Sequence, residues 1–129
     1  MSFSFYNDDW VELRNSVSNI CNKFGEAYWR KLDRNRDYPL DFVNTLTKEG
    51  YLSSLIPKRF GGTDLPLRAA CIILEEIHKT GGNAAACHAQ MYIMGSLLKY
   101  GNNTLKEKYL PDIANGKIRL QAFGVTEPS

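Results

Sequence analysis

At 129 residues, with 16 Lys and Arg against 14 Asp and Glu, the chain is one domain in length and carries a formal charge of only +2. That balance, with the charges interspersed, is too slight to neutralise a run of phosphates and argues against a nucleic-acid partner. Cys21, Cys71 and Cys87 are widely spaced with no Cys-x-x-Cys, which argues against a disulfide scaffold or zinc site and for reduced thiols in the cytoplasm. Neither a membrane span nor a leader is expected, since the longest apolar run, Ala69 to Leu74, is short and Asn7-Asp8-Asp9 is acidic.

From about Asp8 to Leu32, Trp10, Leu13, Val17, Ile20, Cys21, Phe24, Tyr28 and Leu32 recur at spacings of three and four, which predicts one long amphipathic helix. Gly25 interrupts it at a cost of about 1 kcal/mol, which the stripe should override. The polar run Asp33 to Asp37 reads as a linker. A second helix is expected over Pro39–Glu49, with Leu40, Val43 and Leu46 on its inner side and Gly50 past its end. The following stretch of turn formers holds Leu55, Ile56 and Phe60 as anchors. Its Gly61-Gly62 pair either serves an ordinary connector or lets the backbone approach a ligand.

Pro66 opens a third helix to about Lys79, whose expected inner face is Leu67, Ala70, Cys71, Leu74, Ile77 and His78, widened by Ile72 and Ile73. Gly81-Gly82-Asn83 separates it from a fourth, Ala84 to Tyr100, apolar on two faces and therefore expected to be central. A fifth is expected after Gly101, opened by a Thr104-x-x-Glu107 capping box, kinked or divided by Pro111 and closed by Gly116. Beyond it Ile118, Leu120 and Ala122 alternate with Arg119, Gln121 and Phe123, the period of a half-buried strand. No second strand exists upstream to pair with it. The expected fold is therefore mainly α, about five helices over residues 1–116, ending in one β-strand at 117–129 that begins a truncated middle domain.

Few constellations point to chemistry. Glu75-x-x-His78 has the spacing of a di-iron ligand pair, but the site needs that motif twice and His88 has only Ala85 three residues before it. Cys87 and His88 are adjacent, so on a helix their side chains diverge and cannot act as nucleophile and base. No triad elbow, zinc-protease motif or phosphate loop is present. Gln90 lies among apolar residues and needs a hydrogen-bond partner if buried.

Several stretches, in this order and at these separations, resemble the N-terminal part of an acyl-CoA dehydrogenase: Tyr38-Pro39, Gly50-Tyr51-Leu52, Ile56 to Gly62, Leu74 to Ile77, Gly101 with Lys108 to Pro111, Ala114-Asn115-Gly116 and Phe123 to Pro128. The resemblance implies an N-terminal helical domain, a middle β-domain and a C-terminal four-helix bundle, with FAD between the last two. It implies α,β-desaturation of an acyl-CoA thioester, electron transfer to an electron-transfer flavoprotein, and a homo-oligomer. It also implies that Phe123, Gly124, Val125 and Thr126 form the strand against the flavin, and that Ala86, Gln90, Met91 and Met94 belong to the wall that receives the acyl chain. The family's catalytic glutamate and most flavin contacts lie in later domains, so this chain alone is expected to bind FAD poorly, to lack activity and to require the remaining domains or subunits. The rival expectation is a stand-alone helical interaction module with no redox role.

Overall fold

The computed structural model describes residues 10–122 and 124–128, and among these it contains six helices and no strand. They are α1 (Val11–Cys21), α2 (Glu26–Asn35), α3 (Leu40–Lys48), α4 (Leu67–Lys79), α5 (Ala85–Tyr100) and α6 (Asn103–Ala114), with 3-10 turns at Tyr51–Ser53 and Lys58–Phe60. No described helix is long and apolar enough to cross a membrane.

The first helix expected from the sequence is in fact two. Lys23 and Phe24 donate to carbonyls three residues back, Ile20 and Cys21, which tightens and ends α1, and Gly25 then turns extended as the N-cap of α2. The apolar stripe runs through this break because both helices serve one core. Phe24 meets Tyr28 and Phe42 edge-on at centroid distances of 5.0 and 5.3 Å, and Trp29 meets Phe42 at 4.9 Å. An unbroken helix would carry these rings straight on, past α3. The expected linker shrinks accordingly: Asp33 to Asn35 are helical, and Arg36 caps α2 in the left-handed conformation.

In α3, Phe42, Val43 and Leu46 are buried, whereas Leu40, expected inside, stands at the surface. Gly50 follows at φ +81°, as its place after the helix requires. The loop from residue 51 to 66 folds on itself, Thr63, Asp64 and Leu65 donating to the carbonyls of Ser53, Ile56 and Ser54. Gly62 is essential to that fold: a Cβ there would sit 2.0 Å from the Ile56 carbonyl oxygen. The close approach that glycine permits is therefore between two parts of this chain.

Helix α4 packs chiefly against α1. Its buried face is Ala69, Ala70, Ile72, Ile73, Glu76 and Ile77, a rotation from the expected one that leaves Leu67, Cys71 and His78 exposed. Glu76 is tolerated inside because Arg14 from α1 donates to both Glu75 and Glu76, and Lys79 closes the group at 3.3 and 3.1 Å. Cys87 and Met91 of α5 join the main core beside Val17, Phe42, Leu46 and Ile73, while Met94 sits in a second cluster with Ile56, Leu110 and Ile113.

Helix α6 is capped by Asn102, whose Oδ1 accepts from the Leu105 amide at 2.9 Å, rather than by the expected Thr104–Glu107 box. Pro111 sits inside α6 without dividing it; the position is exposed, so the carbonyl deprived of a helical donor can face water. After Gly116, Ile118 and Leu120 pack on the second cluster while Arg119 reaches α3, and Ala122, expected on the same side as Ile118 and Leu120, is exposed. A strand needs a neighbour to pair with, and among the described residues none lies beside 117–122 or 124–128.

Candidate functional site

An open cleft of about 760 Å³ lies where the end of α2, the Arg36–Pro39 connection, the Gly81–Asn83 turn and the start of α5 converge. Its floor is made of small residues, Ala85, Ala86 and Ala89 on successive turns of α5, and Trp29 and Leu32 form an apolar wall. The local sequence explains that shape. Asn83 Oδ1 accepts from the Ala85 amide at 2.9 Å and sets the direction in which α5 starts. Gly82 gives the indole room, since a Cβ on it would lie 3.2 Å from Trp29.

The rim is polar. Asp33, Arg36 and Asp37 are exposed on it, and Tyr38 contributes a phenol raised above its ordinary pKa, first by burial, against the lowering effect of Arg119. Gln121 closes the far edge by donating its side-chain amide to the Ala86 carbonyl at 3.3 Å. None of these lining groups makes a nucleophile–base pair. Among the described residues no cluster of His, Cys, Asp and Glu could hold a metal; Glu75 is ion-paired and His78 is exposed. What the cleft offers is an open seat lined by small and apolar groups together with hydrogen-bonding ones.

Of the sequence-derived wall residues, Ala86 lines the cleft and the other three do not. Gln90 is 1% exposed and donates to the Leu52 carbonyl at 3.1 Å, while its Oε1 has no partner among the described residues. Met91 and Met94 are buried in the two apolar clusters. In the tail, Gly124, Val125 and Thr126 are exposed, with nothing within 4 Å of where a Gly124 Cβ would be. Phe123 lies outside the described residues. The tail nevertheless comes to the cleft through Gln121, two positions earlier. Sequence reasoning missed Trp29 and Gln121; the Tyr38-Pro39 and Gly81-Gly82 punctuation was the signal available for the rest.

The thiols play no part here. Burial pushes the Cys87 thiol up to about 12 and raises that of Cys21 as well, so both stay protonated at neutral pH.

The sequence pattern of the acyl-CoA dehydrogenase N-terminal domain matches residues 7–117. A cyclohex-1-ene-1-carbonyl-CoA dehydrogenase of Syntrophus aciditrophicus is 34% identical over 99 residues, covering 76% of this chain and 24% of that protein. The mitochondrial isovaleryl-CoA dehydrogenase of Bos taurus is 25% identical over 128 residues, covering 95% of this chain and 30% of its own length. Among solved structures, a prolyl acyl carrier protein oxidase superposes with a TM-score of 0.76 at 23% identity, over 88% of this chain and 31% of the other. The chain thus spans 24 to 31% of the length of these relatives.

Proposed function

Because the chain belongs to the acyl-CoA dehydrogenase family through its N-terminal helical domain, we propose that it forms the helical wall of a site that desaturates an acyl-CoA thioester. Residues 117–129 would then begin the middle β-domain, and electrons would leave through an electron-transfer flavoprotein. The observation that carries this reading is the Gln121–Ala86 hydrogen bond. It supports the reading because it brings the segment just before Phe123–Thr126 against the alanine floor, where acyl seat and cofactor edge would adjoin.

FAD fits these residues as one edge of a larger site. Gly124 has open space where a Cβ would be, and Thr126 is exposed, its hydroxyl able to donate once and accept twice. The described residues form no enclosing cradle around 124–128, and the remaining contacts would come from other domains. When bound, the flavin supplies the two-electron acceptor that desaturation needs. The work of this chain is positional. Ala85, Ala86 and Ala89 leave width for an apolar chain, Trp29 and Leu32 shield it from water, and Thr126 holds the flavin edge by hydrogen bonding. Gln90, Met91 and Met94 would act from behind the floor, fixing the place of α5.

Joined to the middle and C-terminal domains of a relative, the chain should give a yellow protein that bleaches on adding an acyl-CoA. A protein that binds flavin but stays yellow with every acyl-CoA tried would refute the activity. In that protein Ala86→Phe should depress kcat/KM for long acyl chains by about tenfold or more while sparing short ones, as a narrowed apolar pocket does.

A further inference from the structure

A second cleft, of about 450 Å³, lies between α3, the 50–63 loop and the turn that ends α6. Its lining contains two cations, Lys48 and Arg119, and no Asp or Glu. Neither cation has an ion pair among the described residues.

Arg119 is held in advance of any ligand. Its Nη1 donates to Thr47 Oγ1 at 2.7 Å and its Nη2 to Asn44 Oδ1 at 3.0 Å. The guanidinium lies over Gly116, where a Cβ would come within 2.9 Å of Nη2. Both acceptors are neutral, so the charge is oriented without being cancelled.

The other polar groups decide which kind of ligand fits. The hydroxyls of Thr47, Ser53 and Thr63 spend their protons on the carbonyls of Val43 and Gly50, at 2.7, 3.1 and 2.8 Å. They offer no donor. Asn44 and Asn115 use their Oδ1 atoms on Arg119 and on the Lys117 amide, which leaves the NH2 end of each amide to donate. Unspent donors in the cleft are thus the two cations and two amides, a set suited to a compact oxyanion and hostile to a cation. We propose that this cleft is a binding site for a phosphate-type oxyanion, with Arg119 as its fixed anchor and Lys48 as a mobile second charge. The proposal does not rest on the acyl-thioester reading, and none of its residues lines the first cleft.

The test is a titration of the isotope-labelled chain with inorganic phosphate, chloride being withdrawn to hold ionic strength constant. Saturable shifts are expected at the side-chain amides of Asn44 and Asn115 and at Arg119 Nε–H. Lys48→Gln, which leaves the Arg119 clamp intact, should weaken the apparent affinity roughly threefold to fivefold, the range open to an exposed charge. Arg119→Gln should abolish saturation. A parallel titration with phenyl phosphate separates the sources: tighter binding of the ester points to the phosphoryl group of a larger ligand, tighter binding of inorganic phosphate to the free ion. Linear drift without saturation, equal shifts with acetate, or an unchanged affinity in Lys48→Gln would each overturn the proposal.

Discussion

Single residues here have consequences that can be measured without knowing the reaction. Cys71 is exposed while Cys21 and Cys87 are buried with raised thiol pKa values, so one thiol should react with a disulfide reagent in the native chain and three after denaturation. Rapid native labelling of all three would contradict the packing of α1 and α5. Gly62→Ala should destabilise by about 2 kcal/mol or more, because the new methyl meets the Ile56 carbonyl, which also accepts from Asp64. A chemical-denaturation midpoint that does not move would show the loop to be looser than described. The Gly61-Gly62 pair was visible in the sequence, but what approaches Gly62 was not, since the Ile56 carbonyl is brought there only by the folding back of the loop. Gln90 is similar: its need for a partner was legible, and the partner, the Leu52 carbonyl 38 residues away, was not.

At the scale of elements, boundaries marked by punctuation were legible. Pro66, Gly81-Gly82 and Gly101 set the ends of α4 and α5 because those residues act on the backbone locally. The break between α1 and α2 was hidden, since a stripe at three- and four-residue spacing describes equally well one helix or two that share the ring cluster around Phe42. The offset of α4 has a related cause. Sequence spacing cannot tell that Glu76 will be carried inward by Arg14. That contact yields two further expectations. Arg14→Ala leaves Glu76 with Lys79 as its remaining cation and should cost about 2 kcal/mol, read as a fall in Tm. Glu75 is held below its ordinary pKa, first by the hydrogen bond from Arg14 and with help from Lys79, against the opposing effect of burial. Its contribution is therefore present above the unfolded carboxylate range and is lost as pH falls through the lower, folded value. Because the side chain is 40% exposed, solvent screens the pair, and Glu75→Gln should remove less than about 1 kcal/mol of acid-dependent stability. A Tm-against-pH curve superimposable on wild type would refute the assignment.

At the scale of the whole molecule, the helical class and the order of elements could be read from periodicity, while the cleft could not. Trp29, Tyr38, Ala86 and Gln121 come from four different stretches, and each looks ordinary where it stands. The resemblance picked out Ala86 and the 123–126 segment, and it did so without geometry. The link between them, Gln121, belongs to neither motif.

The clamp of Arg119 on Thr47 and Asn44 also has a mechanical side. Tension applied to the C-terminal end would first meet the Gln121–Ala86 bond and then reach α3 through the guanidinium before it could peel α6 from the bundle, and Ile118 and Leu120 would resist in shear. Stretched singly by its two ends, the molecule should therefore give way in one step, whereas Arg119→Gln should add an earlier, weaker event as the last turns of α6 unwind.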